Sequence, residues 1–211
     1  NAVSPKDEYY EMLIGSYDNF FEWTIDRTKS NLSQILSTVS LNRILKEHLV
    51  GNIFHVFTFK SSVLFSLSLT LLRKKKSIHA ISSVTGLGYF FGNTVIARTA
   101  RMILRIPLKA ILAKTYDYYI FQNETDLNRL KEYLKLDPKI LKVIESSGLD
   151  TKKIATKKVF SKENLKVIMA TRLLKEKGID EYLAIAKKVR ESNNRIDFFL
   201  AGEIDKGNPS S

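Results

Sequence analysis

Two cations in one short loop carry the most suggestive chemistry of this 211-residue sequence. Arg172 and Lys177 lie in residues 171–178, between an expected strand and an expected helix. Open α/β sheets bind ligands where strands end, and helix N-termini attract anions. The loop therefore predicts a diphosphate site in which Arg172 and Lys177 supply the positive charge. An ordinary solvated basic loop is the alternative that the spacing leaves open.

A second candidate loop is the stretch formed by Thr85, Gly86, Leu87 and Gly88. It follows an expected strand over residues 78–84, so its glycines lie where the backbone turns tightly or approaches a ligand. A chain turn without a ligand is the alternative, because a lone Gly-x-Gly pattern has low specificity.

Residues 93–114 are predicted to form a helix that carries a stripe of basic side chains along one side. At 100° per residue, Arg98, Arg105 and Lys109 fall within about 40° of one another, with Arg101 nearby. The same count assigns the core-facing side to Ile96, Ala100, Ile103, Leu104 and Ile111, and places Met102, Leu108 and Leu112 beside the stripe. Such a mixture is typical of a helix that rests on anionic lipid headgroups. A helix with a solvated basic face is the alternative, and Pro107 is expected to kink or split it.

Other familiar catalytic patterns do not occur in the sequence. It has no Asp-x-Asp pair, no metal-ligand spacing, no Gly-x-Ser-x-Gly nucleophile elbow and no Walker glycine loop. The three histidines, His48, His55 and His79, are isolated and are interpreted as core or surface residues. The chain contains no cysteine, which excludes disulfides and thiolate metal sites.

The composition is that of a folded globular protein with a strongly basic charge balance. There are 34 Lys and Arg against 22 Asp and Glu, a formal net charge of +12. Anionic lipid, a phosphorylated small molecule and nucleic acid are the partners that such a charge favours. We do not expect nucleic acid, because the cations are dispersed and the aromatic residues fall in expected strands or core faces. No signal peptide or membrane-spanning helix is expected.

The expected elements alternate between strands and helices. Strands are predicted at 53–57, 78–84, 118–121, 140–144, 165–169 and 195–200, and helices at 30–49, 93–114, from 123 onward and at 179–191. Residues 62–72 alternate as a strand would, but two flanking strands require a crossover, so they are predicted to be a helix. Residues 151–164 predict a linker that divides the chain into domains 1–160 and 161–211.

These segments together resemble the family-4 glycosyltransferases of the GT-B fold, especially bacterial enzymes that build capsule, O-antigen and other polysaccharide repeat units on a lipid carrier. Four motifs carry the resemblance. They are residues 54–60, residues 84–90, residues 121–126 with 147–150, and residues 172–178 with 202–211. Their order and spacing agree over roughly residues 40–211.

The resemblance implies an α/β fold of GT-B type, with two Rossmann-like domains that have parallel sheets and are both incomplete here. Residues 1–160 would form the acceptor-side domain without its first strand, and residues 161–211 the beginning of the nucleotide-sugar-binding domain. Arg172 and Lys177 would neutralise the donor diphosphate. Donor or substrate contacts are implied for Lys60, Thr85, Gly86, Leu87, Gly88, Gly202 and Glu203.

The implied reaction is metal-independent, retaining transfer from a nucleotide sugar, with UDP as the expected nucleotide, to a lipid-linked saccharide. It would take place at the cytoplasmic face of the cell membrane, with no cofactor and with an anionic membrane surface as a partner. Thr85 stands where other branches of the family have His, so no histidine role is carried over. The family's first strand is expected before Asn1 and its Glu-x7-Glu element after Ser211, so the fragment itself is expected to be inactive.

The alternative function is a peripheral membrane-binding module without catalysis. It would depend on the predicted membrane-facing residues Arg98, Arg101, Arg105 and Lys109.

Overall fold

The protein is an α/β protein with parallel sheets. The computed structural model describes residues 1–7, 9–25, 35–48, 52–73, 78–146, 148–153, 165–192 and 195–204. The chain forms two compact units, Asn1–Leu149 and Asp150–Ser211. Helices alternate with strands in both, and all described strand pairs are parallel, a pattern compatible with a Rossmann-like architecture. The boundary predicted between residues 160 and 161 lies outside the described residues.

The first unit opens with a small parallel strand pair that the sequence patterns did not predict. β1 (Ala2–Ser4) and β2 (Phe20–Glu22) are connected through α1 (Tyr10–Ser16). Val3 lies opposite Phe21 in the register. Each strand has only 3 residues, too few to show the period-2 alternation by which a strand is recognised.

The main sheet of the first unit has four parallel strands in the order β3-β4-β5-β6. They are β3 (Ile53–Phe57), β4 (His79–Val84), β5 (Tyr118–Phe121) and β6 (Leu141–Val143). α2 (Thr38–His48) precedes β3, and α3 (Phe59–Leu71), α4 (Val95–Leu112) and α5 (Glu124–Leu134) connect the strands. The four predicted strands are therefore confirmed. Of the helix predicted at residues 30–49, residues 35–36 and 38–48 are helical, and residues 30–34 and 49 lie outside the described part of the chain.

α3 confirms the helical interpretation of the segment whose periodicity favours a strand. Parallel neighbours such as β3 and β4 need a crossover connection, and a helix provides it. The strand-like alternation arises because small polar residues of α3 are also buried. Ser62 is fully buried, and its hydroxyl lies 2.7 Å from the Ser82 hydroxyl of β4. At this position serine allows close approach between α3 and β4 while its hydroxyl keeps a hydrogen-bond partner.

The core of the first unit joins the helices to the middle of the sheet. Leu69 of α3, Leu112 of α4 and Leu130 of α5 are fully buried in one cluster with Phe121 of β5. Two buried tyrosines complete it by donating from their hydroxyls to helix carbonyls, Tyr116 to Ser62 at 2.8 Å and Tyr119 to Leu112 at 2.9 Å. The sheet therefore holds the ends of α3 and α4 in place.

The second unit contains one βαβ motif. β7 (Leu165–Ala170) and β8 (Ile196–Ala201) are parallel neighbours connected by α6 (Ile179–Ser192), as predicted. The Tyr182 hydroxyl lies 3.0 Å from the Val167 carbonyl oxygen and 2.8 Å from that of Phe199, so it ties α6 to both strands. Of the predicted linker, residues 151–153 form one 3-10 turn, and residues 154–164 lie outside the described residues.

Candidate functional site

Two of the predicted ligand-binding segments leave the main sheet side by side. Phe57 at the end of β3 lies opposite Ser83 of β4, and the Thr58 amide donates to the Ser83 carbonyl oxygen at 2.9 Å. After β3 the chain enters α3 at once, so Lys60 lies in the first turn of that helix, whereas β4 continues into the loop of residues 85–88. Because both strands are parallel, Lys60 and this loop lie at the same carboxyl edge, where α/β sheets bind ligands.

The loop of residues 85–88 uses glycine for its backbone conformation. Gly88 has φ 57° and ψ −160°, which a residue with a side chain rarely adopts. A Cβ added at Gly86 or Gly88 would meet no atom within 4 Å, so packing does not exclude a side chain there. Leu87 between them is buried and anchors the loop, while Thr85 is exposed. The space above the two glycines is therefore open to a ligand.

Three further polar residues at this edge, His55, Thr58 and Ser83, were not identified as candidate site residues from the sequence. His55 Nε2 lies 2.7 Å from the Ser83 hydroxyl oxygen. Thr58 has φ 74°, unusual for a β-branched residue, and its hydroxyl accepts from the Ser61 amide at 3.3 Å as the N-cap of α3. His55 and Ser83 are 28 residues apart, so no local spacing could have paired them.

In the second unit, the Arg172 and Lys177 loop lies between β7 and α6, as predicted. Leu174 is buried and fixes the middle of the loop, and the Lys177 amide donates to the Leu174 carbonyl oxygen at 2.9 Å. Gly178 has φ 79° and turns the chain into the first residue of α6. Arg172 and Lys177 are both exposed, so both charges lie on the outer surface of this loop.

Glu203 is hydrogen-bonded to the same loop, and Gly202 lies in close contact with it. The Thr171 amide donates to the Ala201 carbonyl oxygen at 2.9 Å, and the Leu173 amide donates to that of Glu203 at 3.0 Å. A Cβ on Gly202 would overlap the Thr171 carbonyl oxygen, so the two loops pass each other at a distance only glycine allows. Four of the sequence-predicted residues, Arg172, Lys177, Gly202 and Glu203, thus share the carboxyl edge of β7 and β8. The rest of that motif, residues 205–211, lies outside the described residues.

The prediction of which face of α4 packs against the core was largely wrong, although Ile111 of its five core-facing residues does pack there. The buried residues are Ala97, Leu108 and Leu112, whereas Ile96 and Ile103 are exposed. The helix carries apolar residues on two sides, so periodicity alone could not decide which side packs against the protein. The helix also continues through Pro107, which neither splits it nor ends it.

Two of the four predicted membrane-facing cations of α4 are bonded within the first unit. Arg101 Nη1 donates to the carbonyl oxygens of Phe90 at 2.5 Å and Gly92 at 2.9 Å. Arg105 Nε donates to the Tyr133 carbonyl oxygen at 3.0 Å, while the Tyr133 hydroxyl donates to that of Arg101 at 2.6 Å. Partial burial raises the pKa of Tyr133, and the two arginines act in the opposite direction.

The other two cations, Arg98 and Lys109, are exposed, as is the aliphatic part of α4 that faces away from the core. We call this surface the apolar face of α4. It consists of side chains that are 66% to 81% exposed: Val95, Ile96, Met102, Ile103 and Ile106. On a helical wheel, Arg98, Arg105 and Lys109 form one border of this face.

Among the described residues, no three His, Cys, Asp or Glu side chains lie together as a metal-binding group. In the same part of the chain, no helix is both long and apolar enough to cross a bilayer. The sequence matches no protein-family model, and no curated protein matches it.

Proposed function

We propose that the chain belongs to a metal-independent glycosyltransferase of GT-B type. Residues 1–160 would be part of its acceptor-side Rossmann-like domain, and residues 161–211 the beginning of its nucleotide-sugar-binding domain. The enzyme would transfer a sugar from a UDP-sugar to a lipid-linked saccharide at the inner face of the cell membrane. The observation that carries the proposal is the loop after β7, where Arg172 and Lys177 precede the N-terminus of α6. The open glycine loop of residues 85–88 supports it, because a sugar or phosphate can approach a backbone that carries no side chains.

The proposed chemistry follows from where charge develops. The bond between the anomeric carbon of the sugar and the diphosphate oxygen breaks, and the bonding electrons remain on the diphosphate. The acceptor hydroxyl oxygen bonds to the anomeric carbon, and its proton passes to the departing diphosphate oxygen. Negative charge grows on the leaving diphosphate as the bond breaks. Arg172 and Lys177 would therefore stabilise the transition state more than the bound donor, and this difference lowers the barrier.

UDP binding to the chain tests this proposal. Addition of UDP should shift the amide resonances of residues 171–178. Arg172→Ala should weaken binding about tenfold, as expected for one charge-assisted contact to phosphate. Arg190→Ala is the matched control, because Arg190 lies in the last turn of α6, away from the loop. Unchanged resonances at 171–178, or equal loss of affinity in both variants, would refute the proposal.

A second candidate function, peripheral membrane binding, is favoured by the apolar face of α4. Aliphatic side chains outside the core combined with bordering cations are the pattern of a helix lying in a membrane interface. The aliphatic groups would enter the acyl boundary, and Arg98 and Lys109 would meet anionic headgroups. This surface is compatible with the transferase proposal, since a lipid-linked acceptor lies in a membrane.

Liposome sedimentation tests the membrane proposal. Binding should require anionic lipid and weaken with added salt. Ile106→Ser should reduce the partition coefficient about tenfold, because it removes an aliphatic group that is 81% exposed and would be buried on binding. Leu183→Ser, at an exposed leucine of α6, is the control and should leave binding unchanged. Equal binding to neutral vesicles, or equal loss in both variants, would contradict membrane binding through α4.

A further inference from the structure

Three consecutive aromatic residues follow the glycine loop of residues 85–88, and their side chains have different surroundings. Tyr89, Phe90 and Phe91 form one 3-10 turn. Phe90 and Phe91 pack against the core of the first unit, with their ring centroids 5.4 Å apart. Tyr89 is 62% exposed, and its ring contacts no aromatic ring in the part of the chain that the structure describes. Tyr89 therefore presents an aromatic surface to solvent next to Gly88.

The exposed ring of Tyr89 is held at both of its ends. At the outer end, the Thr94 hydroxyl donates to the Tyr89 hydroxyl oxygen at 3.2 Å. At the backbone end, the Gly92 amide donates to the Tyr89 carbonyl oxygen at 2.9 Å. Arg101 of α4 fixes the same turn by donating to the carbonyl oxygens of Phe90 and Gly92. A ring that is already oriented loses little conformational entropy when a ligand packs on it.

Backbone donors of the glycine loop precede this ring. The amides of Gly86, Leu87 and Gly88 donate to no group of the residues that the structure describes. A backbone N–H group is a strong donor that proteins provide with a partner wherever water is excluded. The open space at the Cβ positions of Gly86 and Gly88 leaves room for a ligand oxygen to reach these donors. Hydrogen-bond donors and an oriented aromatic ring thus adjoin each other in one short segment.

The segment that carries these groups has no charged side chain. Residues 80–97 contain no Asp, Glu, Lys, Arg or His. Besides Tyr89, their exposed polar side chains are those of Thr85, Asn93 and Thr94. An anionic group would gain no charge-assisted hydrogen bond from these residues, whereas hydroxyl groups match amide and hydroxyl partners. The segment therefore favours a neutral ligand that combines several hydroxyl groups with an apolar face.

We propose that Tyr89 is the stacking residue of a saccharide site, in which one neutral pyranose ring lies on the Tyr89 ring. The axial C–H groups of a pyranose form an apolar face with a slight positive charge, and the face of an aromatic ring is its electron-rich side. Hydroxyl oxygens at the edge of the sugar would accept from the amides of Gly86 and Gly88. The inference deepens the transferase proposal and rests on it for the presence of a sugar at this loop.

Titration of the 211-residue chain with methyl β-D-glucopyranoside tests the inference. This probe has axial C–H groups on both faces and carries no phosphate, so it reports on the sugar alone. In NMR spectra, the amide resonances of residues 86–88 should shift. The axial protons of the probe should move upfield, because they lie in the ring current of Tyr89. Inorganic phosphate is added in a parallel titration as the anionic alternative.

Three variants separate stacking from other effects of substitution. Tyr89→Leu keeps an apolar side chain without an aromatic face, and should weaken binding about fivefold and abolish the upfield shifts. Tyr89→Phe keeps the ring but loses the bond to Thr94, and should bind within about twofold of the parent protein. Tyr118→Leu is the matched control, because Tyr118 is an exposed tyrosine in β5, and it should leave binding unchanged.

Absence of the upfield shifts would overturn the inference, as would an equal loss of affinity in Tyr89→Leu and Tyr118→Leu. It would also be overturned if phosphate displaced the glucoside from residues 86–88, because the loop would then be an anion site. UDP is followed separately at residues 171–178. Glucoside binding through Tyr89 without UDP shifts there would refute the transferase proposal alone, and UDP binding without glucoside binding would refute the saccharide site alone.

Discussion

Gly202 and Thr171 illustrate how single residues shape the second unit. They are 31 positions apart, yet a Cβ on Gly202 would overlap the Thr171 carbonyl oxygen. The resemblance assigns Gly202 a donor contact, whereas the structure gives it a packing reason that holds without a ligand. The glycines at 86 and 88 differ, because their surroundings would accept a Cβ and only the backbone conformation restricts them.

We therefore expect Gly202→Ala to destabilise the second unit by about 2–3 kcal/mol, since backbone atoms must move to admit the methyl group. Hydrogen exchange at β7 and β8 amides measures the effect. Gly15→Ala in α1 is the control, because a Cβ there meets nothing within 4 Å and alanine favours a helix. Equal exchange in both variants at β7 and β8 would show that the loops separate without cost.

The helices show which features of a secondary-structure element are set by residues close to it in the sequence. α5 begins after Asn123, whose side-chain oxygen accepts from the Asp126 amide at 2.8 Å, as the sequence predicts. Glu124 and Asp126 lie in its first turn, where their negative charges interact favourably with the positive end of the helix dipole. The start of a helix such as α5 is set by nearby residues, but the face on which α4 packs is not. That face depends on which neighbours the rest of the chain supplies.

Asn123→Ala should lower the free energy of unfolding by about 1 kcal/mol, because it leaves a helix N-terminal amide without its acceptor. Urea denaturation measures this change. Asn123→Asp retains an acceptor oxygen and should stay close to the parent protein. If both variants lost the same stability, the cap would not be the cause.

At the scale of the whole molecule, two buried tyrosines make the stability of the first unit depend on pH in the alkaline range. Burial raises the pKa of both Tyr116 and Tyr119 above the ordinary value of 10.0. Below pH 10 the phenols are protonated in the folded and unfolded states alike, so their stabilising effect is complete. Above it the unfolded state loses protons that the folded state keeps, and stability falls as pH rises.

Each buried tyrosine should contribute a slope of about −1.4 kcal/mol per pH unit to the free energy of unfolding above pH 10. Urea denaturation between pH 8 and pH 11 measures it. Tyr119→Phe should make the slope shallower by that amount, whereas Tyr118→Phe, at the exposed neighbouring position, should not. Parallel pH profiles for the two variants would contradict this account.

The order of elements from β3 onward follows from the amino-acid sequence alone, because caps, glycines and apolar periods are local signals. The sequence also placed residues 85–88 and 171–178 after strands, and in parallel sheets this fixes their position at a carboxyl edge. The structure adds the short β1 and β2, which are held by pairing between residues 18 positions apart, such as Ala2 with Phe20, rather than by a local pattern.

Contacts between distant segments become visible only in the folded protein. It pairs His55 with Ser83, brings Gly202 against Thr171, and turns the apolar residues Ile103 and Ile106 of α4 away from the core. The first two contacts join residues 28 and 31 positions apart, which no local pattern links. For α4 the reason is that hydrophobic burial is not directional, so a local pattern states that a face is apolar but not which partner covers it.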